Sequence, residues 1–117
     1  MEHADLKTLL WSSIEDYCGL WELVWEFNTL HPNNSFHKNW GIAYRGVLYS
    51  LSKEFIELFY CQEPYGNMTR INGINSYVDF LQDPKIWEPP LSRARSVRIS
   101  ATKAGEQYYH DTLTSTQ

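Results

Sequence analysis

The side chains that could do chemistry in this chain are few and scattered. Its four histidines are His3, His31, His37 and His110. His31 and His37 flank the loop HPNNS, but no carboxylate or cysteine stands beside them at metal-ligand spacing. Glu22 and Glu26 are four apart and share a helix face, an arrangement that can ligate a metal. With no histidine close by, they read as a solvated acidic face. Cys18 and Cys61 lack the spacing of a metal knuckle or a redox pair. They read as free buried thiols in a reducing cytosol, with one disulfide as the alternative, because sequence does not fix the distance between them. GIAYRG opens no phosphate-cradling turn, and neither a nucleophile elbow nor a Cys–His arrangement occurs. The expectation is a protein that is not an enzyme, with no catalytic residue, cofactor, metal or evident small-molecule substrate.

One constellation has an outward-looking chemistry. Projected at roughly 100° per residue, the segment FHKNWGIAYRGVLYSLSK places Trp40, Tyr44, Val47, Leu48 and Leu51 on one side. The opposite side carries Lys38, Ile42, Arg45, Tyr49 and Lys53, which include every base of the helix and no acid. Three readings fit that face. Lys and Arg could hold phosphates of duplex DNA, with Arg45 on guanine and Tyr49 on sugar or base, and with Arg93, Arg95 and Arg98 adding backbone contacts. Ile42 and Tyr49 suit the apolar centre of a protein interface or of self-association. A plain solvated helix also carries its charges opposite its core. Trp11 and Trp25 fall off the apolar stripes of their own helices. They are either an interface patch or surface that a later segment folds back to cover, and the second reading is preferred here.

These residues need elements to hold them. Leu6, Leu9, Leu10, Ile14 and Tyr17 mark a helix over about residues 4 to 17, and Leu20, Leu23, Val24, Phe27 and Leu30 a second over about 20 to 30. Pro32 ends it, and Ser35 or Asn34 can cap a third helix over about 36 to 53. In FIELFYC the period switches to that of a strand. INGINSYVDFLQDP reads as a short helix, with Asn72 as cap, Pro84 as stop, and Ile74, Tyr77, Val78 and Leu81 as its stripe. Val97, Ile99 and Ala101 alternate with Arg98 and Ser100 in a second strand, after which Thr102 caps a last helix. HDTLTSTQ is polar and reads as a frayed tail.

The chain has 117 residues and a net charge of −4, which fits one domain at 1–110 followed by the tail at 111–117. At 43% hydrophobic it is a folding composition. No apolar run approaches the roughly 20 residues of a membrane span and the polar start MEHADLK is no signal peptide, so a soluble cytoplasmic location is expected. Charge is uneven. Up to residue 30, Glu2, Asp5, Glu15, Asp16, Glu22 and Glu26 face only Lys7. From 85 to 103, Lys85, Arg93, Arg95, Arg98 and Lys103 face only Glu88. Global steering therefore opposes nucleic acid while the second half could still attract it.

EFIELFY and VRISATKAGEQYY resemble the wing strands and following helix of winged-helix (winged helix-turn-helix) proteins, notably the multiple-antibiotic-resistance type regulators. Ser52, Lys53, Glu54, Phe55 and Ile56 stand at the end of the recognition-helix motif, and Ser100, Ala101, Thr102, Lys103, Ala104 and Gly105 at the motif that opens the next helix. The resemblance implies an α+β, winged-helix-like domain: three N-terminal helices, a two-stranded β-wing and a C-terminal helix. Roughly 35 residues separate the strands, where a hairpin closes with about 2 to 5, so the wing must hold a helical insertion. The family's DNA-binding role would fall on the outward face of helix 36–53. Loss of that role with retention of the fold would leave a protein-interaction module, and this second expectation is preferred because of the acidic balance. The LWELVWEFNT and WEPP segments are also similar to those of a small bacterial family, a resemblance that implies no activity.

Overall fold

Leu6, Leu9 and Leu10 recur at helical spacing, and all three are buried on one face of α1 (His3–Glu15) in the computed structural model, which describes residues 1–90 and 95–114. α2 (Leu20–Leu30) buries Leu20, Leu23, Val24 and Phe27 as its periodicity demands. The Gly19 amide donates to the Glu22 carboxylate at 2.8 Å, which satisfies a free donor at its start. α3 (Phe36–Ser52) begins at Ser35, whose hydroxyl oxygen accepts from the Lys38 amide at 3.1 Å. It ends where the Glu54 amide bonds to Leu51 O at 3.0 Å and the Phe55 amide to Ser50 O at 2.8 Å. Glu54 takes φ +60° there. Those two bonds and one left-handed residue are a Schellman stop.

β2 (Ile56–Gln62) follows at once. It pairs antiparallel with β4 (Arg95–Ala101), Ile56 opposite Ala101 and Gln62 opposite Arg95. This is the pairing that the change of period near Phe55 implies. The ribbon is not two-stranded, however. β1 (Cys18–Gly19) adds to the far edge of β4, with Cys18 opposite Ile99, and β3 (Met68–Arg70) adds to the far edge of β2, with Phe59 opposite Arg70. The sheet order is β1-β4-β2-β3, antiparallel throughout. The chain is thus α+β.

The insertion differs from its expected form. Its helix, α4 (Tyr77–Leu81), starts later, with Ser76 in place of Asn72 as the capping side chain. Residues 71–76 are neither helix nor strand, and the Ile71 amide still follows β2 by bonding Leu58 O at 2.9 Å. Leu81 is fully buried and Ile74 packs half-buried against the core, but Tyr77 and Val78 are each 40% exposed, so Leu81 is the one fully buried anchor of the four-residue stripe. The second anchor is Trp87, buried in a tight 3-10 turn over Pro84–Trp87. α4 packs on α3, and the turn packs on α2 and β4.

α5 (Lys103–Tyr108) is capped by Thr102 as expected. A π turn over Tyr109–Leu113 extends it. Tyr109 and Leu113 are buried in the core, so residues 111–114 belong to the folded body and not to a frayed tail. The core itself lies between α1–α3 and one face of the sheet, around Phe27, Leu9, Leu10, Leu23, Val47 and Ile99.

Candidate interaction surface

The face of α3 that looks outward is set by what it buries. Buried positions are Asn39, Ala43, Gly46, Val47, Ser50 and Leu51, while Trp40, Tyr44 and Leu48 are only half-buried. The core face is therefore turned from the one that apolarity alone suggests, because small and polar residues hold its centre. Asn39 explains part of this turn. Its amide donates to Asn28 Oδ1 at 2.8 Å and to His31 O at 3.3 Å, and its oxygen accepts from Asn34 at 3.0 Å. That network closes the α2–α3 loop, and a buried amide so satisfied carries no desolvation debt. Gly46 explains the rest. A Cβ there would lie 2.5 Å from Met1 Cε and 2.8 Å from Leu9 Cδ1, so the bare glycine makes room for the ends of those two side chains between α3 and α1.

This packing leaves a groove between the two helices. Lys38, Ile42, Arg45 and Tyr49 line one side, and Met1, Glu2 and Asp5 the other. Four of the five α3 residues singled out by spacing thus share one concave surface. Ile42 and Tyr49 are half-buried, while Lys38 and Arg45 are exposed. Lys53 is exposed beyond the groove end, its ammonium 5.8 Å from the Tyr49 ring centroid. None of these three bases forms an ion pair among the described residues. The opposite wall brings acid to the groove: Glu2 is exposed, and the buried Asp5 carboxylate is bound to His31 Nε2 at 2.6 Å.

The wing arginines do not join that surface as a set. Arg93 lies outside the described residues. Arg95 is exposed, with its guanidinium 3.7 Å from the Tyr60 ring centroid. Arg98 is corrected outright, because its side chain is 7% exposed. It pairs with Glu63 at 3.1 Å and with Glu22 at 3.3 Å, and donates to Tyr17 O at 2.9 Å. The rings of Trp21 and Tyr65 flank its guanidinium at 4.9 and 4.7 Å. A cation enclosed by two carboxylates and two rings is an internal cross-link of α2, β4 and the turn after β2, and its burial keeps it from a phosphate backbone. Alternation gave Arg98 a solvent-side position, and its counter-charges at positions 22 and 63 are too remote for any local pattern to show.

Trp11 and Trp25 remain 44% and 51% exposed. The preferred expectation, that the insertion covers them, is corrected: the insertion is anchored by Leu81 and Trp87, beside Trp40 on the α2–α3 side. Trp11 instead stacks on Tyr109 of the C-terminal turn at 5.6 Å. Cys18 and Cys61 are both buried and free.

Spacing alone missed an aromatic row along the first half of α3. His37, Trp40 and Tyr44 stack in sequence at 6.0 and 5.3 Å, and Trp87 meets Trp40 edge-on at 5.6 Å. The signal is the i, i+3, i+7 recurrence of rings, in which Trp40 and Tyr44 also have the spacing of core positions. Among the described residues no group of three or more His, Cys, Asp or Glu side chains is placed to hold a metal, and no helix is long and apolar enough to cross a membrane. Comparison with family models, curated proteins and solved structures returned no match.

Proposed function

We propose that this chain is a small, non-enzymatic binding module of winged-helix type, and that it engages a protein partner through the groove between α3 and the first turn of α1. The fold reading is supported by β4 lying between β1 and β2, with α2 and α3 between the first two strands in sequence and a capped helix after the last. The function rests on one observation: Ile42 and Tyr49 share the groove with Lys38 and Arg45, bases that form no ion pair among the described residues. Such a surface suits a segment with apolar anchors and acidic flanks, where the anchors supply burial and the charges supply orientation. Duplex DNA is the poorer fit. Glu2 borders the groove, Arg98 is spent internally, and the net charge is −4.

The test is a titration of the isotope-labelled chain with an amphipathic Leu/Glu helical peptide, and separately with random duplex DNA, each at low and moderate salt. The peptide is expected to shift the backbone resonances of Ile42, Arg45 and Tyr49, and Tyr49→Asp to abolish the shift. DNA binding that weakens steeply with salt, with a slope flattened by Arg45→Ala plus Lys53→Ala, would replace this reading by a nucleic-acid one. Silence of these resonances towards both ligands would remove the groove as a site.

A further inference from the structure

We infer that the groove between α3 and α1 takes the outward stripe of α2 from a second copy of this chain. The inference rests on the function proposed above for that groove and names its partner.

The stripe is Glu22, Trp25, Glu26 and Thr29, spaced i, i+3, i+4, i+7, so the four share one face of α2. Leu20, Leu23, Val24 and Phe27 are buried on the other side, in the core that α2 and α3 share. α2 therefore turns the stripe away from its own α3, and only the groove of another molecule can receive it. Trp25 is 51% exposed. Acids stand three positions before it and one after it, and both reach solvent: the Glu22 side chain is 44% exposed, and Glu26 is exposed. Leu30, 42% exposed, continues the apolar surface at the end of the helix. This is an apolar anchor with acidic flanks, the complement of Ile42 and Tyr49 set between Lys38 and Arg45.

The two helices also agree in spacing. Lys38, Ile42, Arg45 and Tyr49 recur at i, i+4, i+7, i+11. At about 1.5 Å of rise per residue, an antiparallel α2 with Glu22 beside Arg45 sets Trp25 level with Ile42. A parallel α2 with Glu22 beside Lys38 sets Trp25 within about 2 Å of that level. In both directions Glu26 falls about 4.5 Å along the axis from the second base, a gap that a lysine or arginine stem spans. Glu2 is the one exposed acid lining the groove, against two bases, and the Asp5 carboxylate is buried on His31. Met1, 51% exposed, adds apolar wall for the indole. One helix stripe covers less than the roughly 1,200–2,000 Å² of a stable interface, so the association is weak and depends on concentration.

The experiment follows the isotope-labelled full chain as it is concentrated from about 10 µM to 1 mM, the range of weak association. At low salt the backbone resonances of Ile42, Arg45 and Tyr49 and the indole N–H of Trp25 are expected to shift together. Added salt should weaken the effect several-fold. Trp25→Ala and Arg45→Glu, both at exposed positions, should each lower self-affinity several-fold, and Glu26→Lys repeats the test with Trp25 left in place. The first two variants should complement each other. Trp25→Ala keeps an intact groove and Arg45→Glu an intact stripe, so unlabelled Arg45→Glu is expected to shift the groove resonances of labelled Trp25→Ala. Resonances that do not move with concentration, groove shifts indifferent to Trp25→Ala and Glu26→Lys, or a failure to complement would overturn the inference. Adding the Leu/Glu helical peptide to labelled Trp25→Ala separates the two readings. Peptide binding without complementation would leave the groove to a different protein and end the self-docking proposal, whereas silence towards both would remove the groove itself.

Discussion

Gly105 lies directly against the carbonyl group of Phe55: a Cβ built on Gly105 would overlap the oxygen and approach the carbonyl carbon to 2.8 Å and Cα to 3.0 Å. Thr102 locks the same joint. Its amide donates to Phe55 O at 2.8 Å, its hydroxyl donates to Glu54 O at 2.6 Å, and that hydroxyl accepts from the Gly105 amide at 3.0 Å. The end of α3 and the start of α5 are thereby tied together at the point where β2 enters the sheet. Nothing flexible stands in the way of the added methyl, because the obstacle is backbone. Gly105→Ala should therefore destabilise the fold by at least about 2 kcal/mol, and Thr102→Ala by about 1 kcal/mol through the lost cap. Urea unfolding monitored by tryptophan fluorescence measures both, and an unchanged midpoint for Gly105→Ala would contradict this contact.

Arg98 and Glu63 make the interior dependent on acid. The two side chains are 7% and 9% exposed. Burial pushes the Glu63 carboxyl up, yet hydrogen bonds from the Ser96 hydroxyl, the Tyr65 amide and Arg98 together hold it below its ordinary value. Asp16 is also lowered, chiefly by the Tyr65 hydroxyl and then by the Tyr17 amide. A carboxyl whose pKa drops on folding contributes stability that is fully present above the unfolded value, near pH 4, and that is lost as pH falls through the folded value. Stability should fall below about pH 4, and more steeply in the native chain than in Glu63→Gln. Arg98→Ala should cost about 3–5 kcal/mol at neutral pH, since it strands a buried carboxylate. Urea midpoints between about pH 2 and 7 give the comparison, and equal slopes for the native chain and Glu63→Gln would exclude the pairing as the cause.

The thiols should be silent in the folded state. Cys61 is fully buried and Cys18 is 7% exposed. Burial, followed by the negative charges of Glu22 and Glu26, pushes the Cys18 thiol up to about 12. The thiolate is the reactive form, so a chromogenic disulfide reagent at mildly alkaline pH should label neither cysteine of the folded chain. Both should react in denaturant, without prior reduction. Rapid labelling of either in native buffer would show that its neighbours do not cover it.

The parts legible in the sequence are those where one face repeats over several turns. Leu6, Leu9 and Leu10, and Leu20, Leu23, Val24 and Phe27, gave α1 and α2, and the change of period near Phe55 gave the β2–β4 pair. β1 was not legible, because Cys18 and Gly19 are too few to alternate and Gly19 reads locally as a break. It is in fact both strand residue and helix cap, and the Trp21 ring packs where its side chain would be. β3 was hidden for the same reason of length. That Lys38, Ile42, Arg45 and Tyr49 share one face of α3 was legible from their helical spacing, whereas the groove that Met1, Glu2 and Asp5 make of that face was not. The buried role of Arg98 was not, since partners at 22 and 63 meet it only after the sheet has formed. The edge-on contact of Trp40 with Trp87 needed α3 and the insertion turn together, and no spacing within either contains it.

Glu54 offers a gain in stability. It occupies the left-handed position of the Schellman stop, with φ +60° and an exposed side chain that makes no hydrogen bond or ion pair among the described residues. A non-glycine residue there costs about 1–2 kcal/mol, while glycine loses about 0.5–1 kcal/mol more chain entropy on folding than a residue with a Cβ. The backbone bonds of Ser50, Leu51 and Thr102 at this corner involve no Glu54 side-chain atom, so they survive the exchange. Glu54→Gly should therefore stabilise the fold by roughly 0.5–1 kcal/mol, and Glu54→Asn by less, since asparagine tolerates the same φ without glycine's full freedom. Glu54→Val should destabilise it, because a β-branched side chain suits that conformation worst. The order Gly, Asn, Glu, Val in urea midpoint checks the claim. A Gly variant at or below the native midpoint would mean that Glu54 does not hold the left-handed conformation in solution.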